Sequence, residues 1–324
     1  MNVSSRRDFL LAATSAAVAG TGISRACAAE AGKQPRLRRK FTKCLSCGAI
    51  GVRADQREAI RLAQRFGFES VEPAVDFLAG LSEKDCRELL ADMKTKKLSW
   101  GAAGLSVEFR GSQSDFDQGM KKLPATAAAL KRAGVTRVAT WLMPCHATLT
   151  YVANFRQHAR RLRDVANVLA DHELRLGLEY VGPKTSWTSA RYPFLHTMAE
   201  MKDLIAEINR ANVGFLLDSW HWYTAGDTEA DLLTLRNRDV VCVHLSDAPV
   251  GIPVDKQIDS KRELPCVTGV IDLKTFLTGL VRIGYDGPVV VEPFSQALAS
   301  MPAEQAVQTT AAALTKAVEL APGP

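Results

Sequence analysis

The feature that most constrains this chain is an alternation. Eight short apolar runs with strand character fall at residues 40–46, 68–72, 98–105, 136–143, 174–180, 213–218, 240–246 and 288–293. Amphipathic helix patterns follow each of them, at 55–66, 82–96, 116–133, 151–172, 195–210, 228–235, 273–283 and 303–319. Ser82 is placed to cap its helix, with Asp85 at the third position. Strict strand–helix alternation implies a parallel sheet with helices outside it. Eight such units in about 280 residues match the size of a closed (β/α)8 TIM barrel, folded as a single domain over residues 41–319. The rival is an open doubly wound sheet, which calls for a glycine-rich phosphate loop after its first strand. Cys47-Gly48-Ala49-Ile50-Gly51 does not fit G-x-G-x-x-G.

The first residues do not belong to this pattern. Arg6-Arg7 precedes Phe9-Leu10 and an apolar stretch, and Ala26-Cys27-Ala28 offers small residues for cleavage. This resembles a twin-arginine export signal over residues 1–28, followed by a linker over 29–40, and implies a periplasmic protein. The apolar stretch is too short and too rich in alanine and glycine for a stable membrane span. Cys44-Leu45-Ser46-Cys47 is a C-x-x-C with no second pair at zinc-site spacing, so it reads first as part of a buried strand, with a disulfide as the alternative. The net charge of +6 is spread thinly, with no basic block among aromatic residues. Nucleic-acid binding therefore has no support, and the expected partner is a small molecule, with a homo-oligomer left open.

In a barrel of this kind chemistry sits at the C-terminal ends of the strands. The fifth strand ends at Glu179, the sixth at Asp218, the seventh carries His244 and the eighth ends at Glu292. These four ends ring one mouth. Three carboxylates crowded there repel one another and cannot all stay ionised unaided, and a divalent cation removes the problem. The oxygen-rich set with one imidazole favours manganese, with magnesium, cobalt or zinc as alternatives. Other polar residues near strand ends are His221, three beyond Asp218, together with Glu72, His146, Lys184 and Asp247. Trp141, Trp187, Trp220 and Trp222 are available to stack on the apolar face of a ligand.

The stretches GLEYVGPKTSW, GFLLDSWHWY, VHLSDAP, DSKRELP and GYDGPVVVEPF make the chain similar to the sugar phosphate isomerase/epimerase group of the xylose-isomerase-like TIM-barrel superfamily. The resemblance runs from about residue 40 to 317. It implies one metal held by Glu179, Asp218, His244 and Glu292, with Glu179 and Glu292 also acting as catalytic bases. It also implies that His221 and Arg262 meet substrate oxygens. Epimerisation then begins by removing a proton beside a carbonyl, through a metal-stabilised enediolate. His146, Glu72, Lys184 and Asp247 are further candidates for substrate hydroxyls.

The endonuclease branch of the same superfamily resembles this chain at Asp-x-x-His but needs additional histidines for three zinc ions. Asp259-Ser260-Lys261-Arg262 supplies none. Many keto-sugar epimerases also carry a second glutamate six residues beyond the fifth-strand ligand, where this chain has Thr185. The same site supports two alternatives: a lyase that cleaves 3-keto-glycosides by β-elimination, and a metal-dependent sugar-binding protein without catalysis.

Overall fold

The computed structural model describes residues 38–322. The expected leader lies outside them, as does most of the linker. In chain order the strands are β1 (Thr42–Leu45), β2 (Ser70–Val71), β3 (Ser99–Trp100), β4 (Ala103–Gly104), β5 (Arg137–Trp141), β6 (Cys145–His146), β7 (Arg175–Glu179), β8 (Tyr192–Pro193), β9 (Val213–Asp218), β10 (Val240–Leu245) and β11 (Pro288–Val291). The principal helices are α1 (Gln56–Arg65), α2 (Val75–Gly80), α3 (Glu83–Thr95), α4 (Gln113–Arg132), α5 (Tyr151–Asp171), α6 (Lys184–Trp187), α7 (Met198–Ile208), α8 (Ser219–Ala225), α9 (Glu229–Leu232), α10 (Leu273–Arg282), α11 (Gln296–Ala299) and α12 (Ala303–Val318).

Nine of the strands form one sheet in the order β3-β2-β1-β11-β10-β9-β7-β5-β4, and every pairing within it is parallel. The first strand hydrogen-bonds to the last, so the sheet curls into the TIM barrel expected from the alternation. Its two ends, β3 and β4, are pieces of one expected strand, broken at Gly101 and Ala102. At the break the chain passes close to β1: a Cβ on Gly101 would lie 2.6 Å from Cys44 Sγ, so glycine suits this position. β3 then pairs with β2, and β4 with β5.

Other departures are local. The helix expected from residue 116 begins at Gln113, because the Ser112 hydroxyl accepts from Asp115 N and caps it. Ser82 caps α3 through Asp85 N in the way its sequence indicates. The helix expected at 228–235 shrinks to α9, while α8 forms directly after β9. A small antiparallel pair, β6 with β8, sits outside the barrel sheet. Cys44 is buried on β1, Cys47 lies just beyond it, and both are free thiols. No described helix is long and apolar enough to cross a membrane.

The barrel interior follows from the two-residue period of a strand. Cys44, Leu216, Cys242 and Val290 form a buried cluster, with Ala102 and Ala139 packed against it. Odd neighbours such as Phe215, Leu217, Val243 and Val291 point the other way, into the larger core beneath the helices. Each such buried aliphatic side chain contributes about 2 kcal/mol. Two residues beyond the interior cluster, on the same inward face, come Ser46, Trp141, Asp218, His244 and Glu292. The pleat that fills the barrel thus also aims the candidate ligands into its mouth.

Candidate metal centre

Glu179 is the last residue of β7, Asp218 the last of β9, His244 the fifth of β10, and Glu292 follows β11. Asp218 and His244 are directly paired across β9 and β10, and Glu292 N donates to Leu245 O at 3.1 Å. These contacts set the four at one height. Each offers one ligand atom, and the four atoms lie within 4.8 Å of one another. The structure thus brings the four strand-end residues together.

The electrostatics of this cluster are uneven. His244 Nδ1 stands 3.5 Å from Glu179 Oε1 and 3.3 Å from Glu292 Oε2. Neither approach has hydrogen-bond geometry, so Glu179 Oε1 and His244 Nδ1 are buried without a partner. Burial pushes Glu179 up to about 8, against the pull of His244. Burial also opposes charge on Glu292, but His244 and Arg262 more than offset it and hold that carboxyl down at about 2. His244 is raised well above the usual imidazole range: burial works against its charge, and Glu292 and Glu179 outweigh burial.

An orphaned carboxylate oxygen facing an orphaned imidazole nitrogen is costly in a buried site. A divalent cation among three carboxylates and one imidazole satisfies both. The donor set fits a hard or borderline ion such as manganese, magnesium, cobalt or zinc, with Glu179, Asp218, His244 and Glu292 as its holders.

Arg262 reaches this cluster from the insertion after β10. Its Nη1 donates to Asp218 Oδ2 at 2.7 Å and to Glu292 Oε2 at 3.2 Å, and its Nη2 to Asp259 Oδ1 at 2.7 Å. Burial disfavours the guanidinium charge, but Asp218, Asp259 and Glu292 hold it protonated. The other Asp218 oxygen accepts from Trp220 N at 2.6 Å and so starts α8. That helix carries His221, whose Nδ1 accepts from Gly182 N at 3.3 Å. Its Nε2 faces Arg262 Nη2, which can only donate, at 3.3 Å and lies 3.9 Å from Asp259, so both ring nitrogens face donors and the neutral ring can accept from one of them. Burial holds the His221 pKa below its ordinary value, with Asp218 opposing.

Of the remaining candidates, Glu72 lines the cavity over the centre, and burial raises its carboxyl against a hydrogen bond from Ser46. Three others are placed elsewhere. His146 Nδ1 accepts from Thr148 N at 3.0 Å and Leu149 N at 2.8 Å, which ties its ring into its own turn. Lys184 is half-exposed and 4.0 Å from Asp255. Asp247 is fully buried, and its carboxylate accepts from Ala248 N, Thr268 N, Gly269 N and Ile271 N at 2.7–3.1 Å. It closes the insertion. Thr185 lines the cavity, its hydroxyl spent on Gln257 O at 2.6 Å. Among the four tryptophans only Trp141 lines the cavity; Trp220 and Trp222 are core, and Trp187 stacks on His196. Asp259 and Phe294 belong to the site without having been expected there. Asp259 could have been found as the carboxylate three residues before Arg262, whereas nothing in the sequence marks Phe294.

Residues 60–317 match the family described as Xylose isomerase-like TIM barrel. The chain belongs to this family. A solved xylose isomerase domain protein from Alicyclobacillus acidocaldarius is similar at TM-score 0.76 and 31% identity, over 86% of this chain and 99% of that one. The inosose isomerase of Bacillus subtilis is 28% identical over 149 residues, which are 46% of this chain and 50% of that protein. The 3-dehydroshikimate dehydratase of Pseudomonas aeruginosa is 28% identical over 143 residues, 44% of this chain and 21% of that protein. The chain thus spans half or less of the length of these two relatives. By name one is an isomerase and the other a dehydratase.

Proposed function

We propose that this chain is a divalent-metal-dependent isomerase or epimerase of sugar-like hydroxyketones, acting by proton transfer at the carbon beside the carbonyl. The observation that carries this reading is the convergence of four ligand atoms from Glu179, Asp218, His244 and Glu292 within 4.8 Å, with two of those atoms lacking any other partner. A divalent cation held there, for which manganese is our expectation, would supply Lewis-acid stabilisation of the negative charge that develops on the substrate oxygens.

The protein's own groups do the rest. Glu179 and Glu292 come from strands separated by β9 and β10, so a ring between them presents a different face to each. One carboxylate takes the proton from carbon, and the bonding pair moves toward the carbonyl oxygen. The other carboxylate returns a proton on the opposite face, giving the epimer. Arg262 is the donor aimed at the same region and holds the oxygen that gains charge, with His221 beside it. Asp259 keeps the guanidinium turned toward Asp218 and Glu292. The inosose isomerase relative supports this chemistry by its name.

The dehydratase relative supports a second reading, β-elimination, in which the same proton is lost and a group β to the carbonyl departs with its electron pair. One experiment separates them. The manganese-loaded protein is incubated with free ketoses and inososes in deuterated water, and in parallel with 3-keto-glycosides. Carbon-bound deuterium in recovered ketose supports the isomerase; release of the aglycone supports the lyase. Saturable sugar binding with neither outcome would leave a binding protein and refute catalysis.

A further inference from the structure

The metal centre lies under a cleft with two unlike lobes. The smaller, about 430 Å3, is walled by alanines and glycines of β1–β5 and carries the polar side chains of Ser46, Glu72 and Thr140. The larger, about 880 Å3, opens between the segment after β5 and the insertion at residues 249–267. Trp141, Glu179, Glu292 and Phe294 line both. Cavities of about 300–1,000 Å3 enclose drug-sized ligands. The larger lobe alone is of that class, so a single sugar ring leaves most of the cleft empty.

The walls of the larger lobe say what fills it. Trp141, Met143, Ile258 and Phe294 leave 41%, 43%, 44% and 46% of their surface exposed. Single exposed apolar residues are ordinary, but four around one opening form a patch of the kind that binds ligand. Two of them are held in place. The Arg110 guanidinium stacks on Trp141 at 4.5 Å, and its Nη1 donates to Trp141 O at 2.7 Å. Phe294 has φ +43°, a left-handed conformation that a phenylalanine keeps only when its surroundings impose it, and the Arg262 guanidinium covers its ring at 4.6 Å. An aromatic ring fixed in a strained backbone beside the proton-transfer groups is a built wall.

We propose that the substrate is a ring hydroxyketone bearing an apolar, ring-sized substituent. The sugar ring occupies the small polar lobe above Glu179 and Glu292. The substituent occupies the large lobe among Trp141, Met143, Ile258 and Phe294. This inference rests on the sugar-ketone reading above and adds the chemistry of the substrate's other half.

The test is a pair of equilibrium titrations of the metal-loaded protein with phenyl and methyl β-D-glucopyranoside, which lack the ketone and so do not turn over. The phenyl compound binds at least about tenfold more tightly. The preference disappears in a Met143→Ser/Ile258→Ser double variant, whose affinity for the methyl compound is unchanged. Equal affinities in the wild type overturn the proposal, as does a preference that survives the double variant or the absence of binding by either compound. A concentration-dependent dimer lost in the double variant, with no phenyl preference, assigns the apolar mouth to a second copy of the chain and also overturns it. The phenyl preference does not depend on proton transfer. Failure of the isomerase reading appears separately, as wild-type protein that gives neither deuterium incorporation nor elimination.

Discussion

The two walls of this barrel are built to different rules. On one side β7, β9, β10 and β11 run four to six residues each and pair without interruption except for one irregularity between Val240 and Cys242. They carry all four candidate ligands. On the other side β2, β3 and β4 are two residues each, and the third strand is broken. That wall presents alanine, glycine and serine to the small lobe. Long strands hold side chains to the tolerance a metal demands, and short interrupted ones leave room for a ligand. One wall is for position and the other for space.

Breaking the first wall has the largest expected effect. Glu179→Gln and His244→Ala should each lower bound metal, measured by elemental analysis, and cut proton-transfer activity by roughly a thousandfold or more. Unchanged metal content in both would end the four-ligand assignment.

The helical layer behind that wall is sensitive to acid. His158 on α5 is buried between Phe109 and Phe194, and burial pushes its pKa down to about 4. In the unfolded chain it titrates near 6.5. The unfolded state therefore takes up the proton first as pH falls. The stability contributed by a neutral His158 is complete above about pH 6.5 and is lost between there and about pH 4, amounting to about 3 kcal/mol. Denaturant melts across this range, compared with His158→Gln, should show a loss in the wild type that the variant lacks.

Gly182 sharpens the comparison further. A Cβ there would lie 2.6 Å from His221 O, 2.7 Å from Thr224 Oγ1 and 2.9 Å from Ala225 N. Gly182→Ala should push α8 away, cost about 1–3 kcal/mol of stability and reduce activity, with metal content unchanged. Retained full activity would show that His221 needs no fixed position. The space-making wall gives the mildest effect. A side chain at Gly104 meets nothing within 4 Å as far as its Cβ. Gly104→Val should fill part of the small lobe and raise KM about tenfold, while the thermal midpoint and the metal stay as they were. An unchanged KM would move the sugar ring out of that lobe.

The position wall was legible in the sequence because its logic is local. An apolar strand with period two that ends in a carboxylate states both the strand and the direction of its last side chain, and β9 appears at the expected bounds of 213–218. The space wall was less legible. Its third strand breaks where Gly101 passes Cys44, a contact more than fifty residues away. α8 escaped notice because Ser219-Trp220-His221-Trp222-Tyr223 has weak helix propensity; the helix is started by Asp218 and packed into place. Asp247 resembled a site residue because it follows His244 by three, yet four backbone N–H groups had prior claim to it. Arg262 was found through the family resemblance, while Asp259 depends on how a nineteen-residue insertion folds back (residues 249–267) and Phe294 on a left-handed turn after β11, neither of which spacing encodes.

That insertion is tied at its base and again in its middle. Asp247 and Glu263 exchange backbone hydrogen bonds at 2.8 Å each, and the Asp247 carboxylate gathers the returning chain at residues 268–271. Further out, Gln257 O accepts from Thr185 Oγ1 at 2.6 Å, and Asp259 holds the Arg262 guanidinium at 2.7 Å. Ile258 stands between these two anchors and faces the opening. The span therefore presents its apolar side chain from a fixed post, and a single exchange at Ile258 should change what enters while the anchors on either side keep the arginine seated.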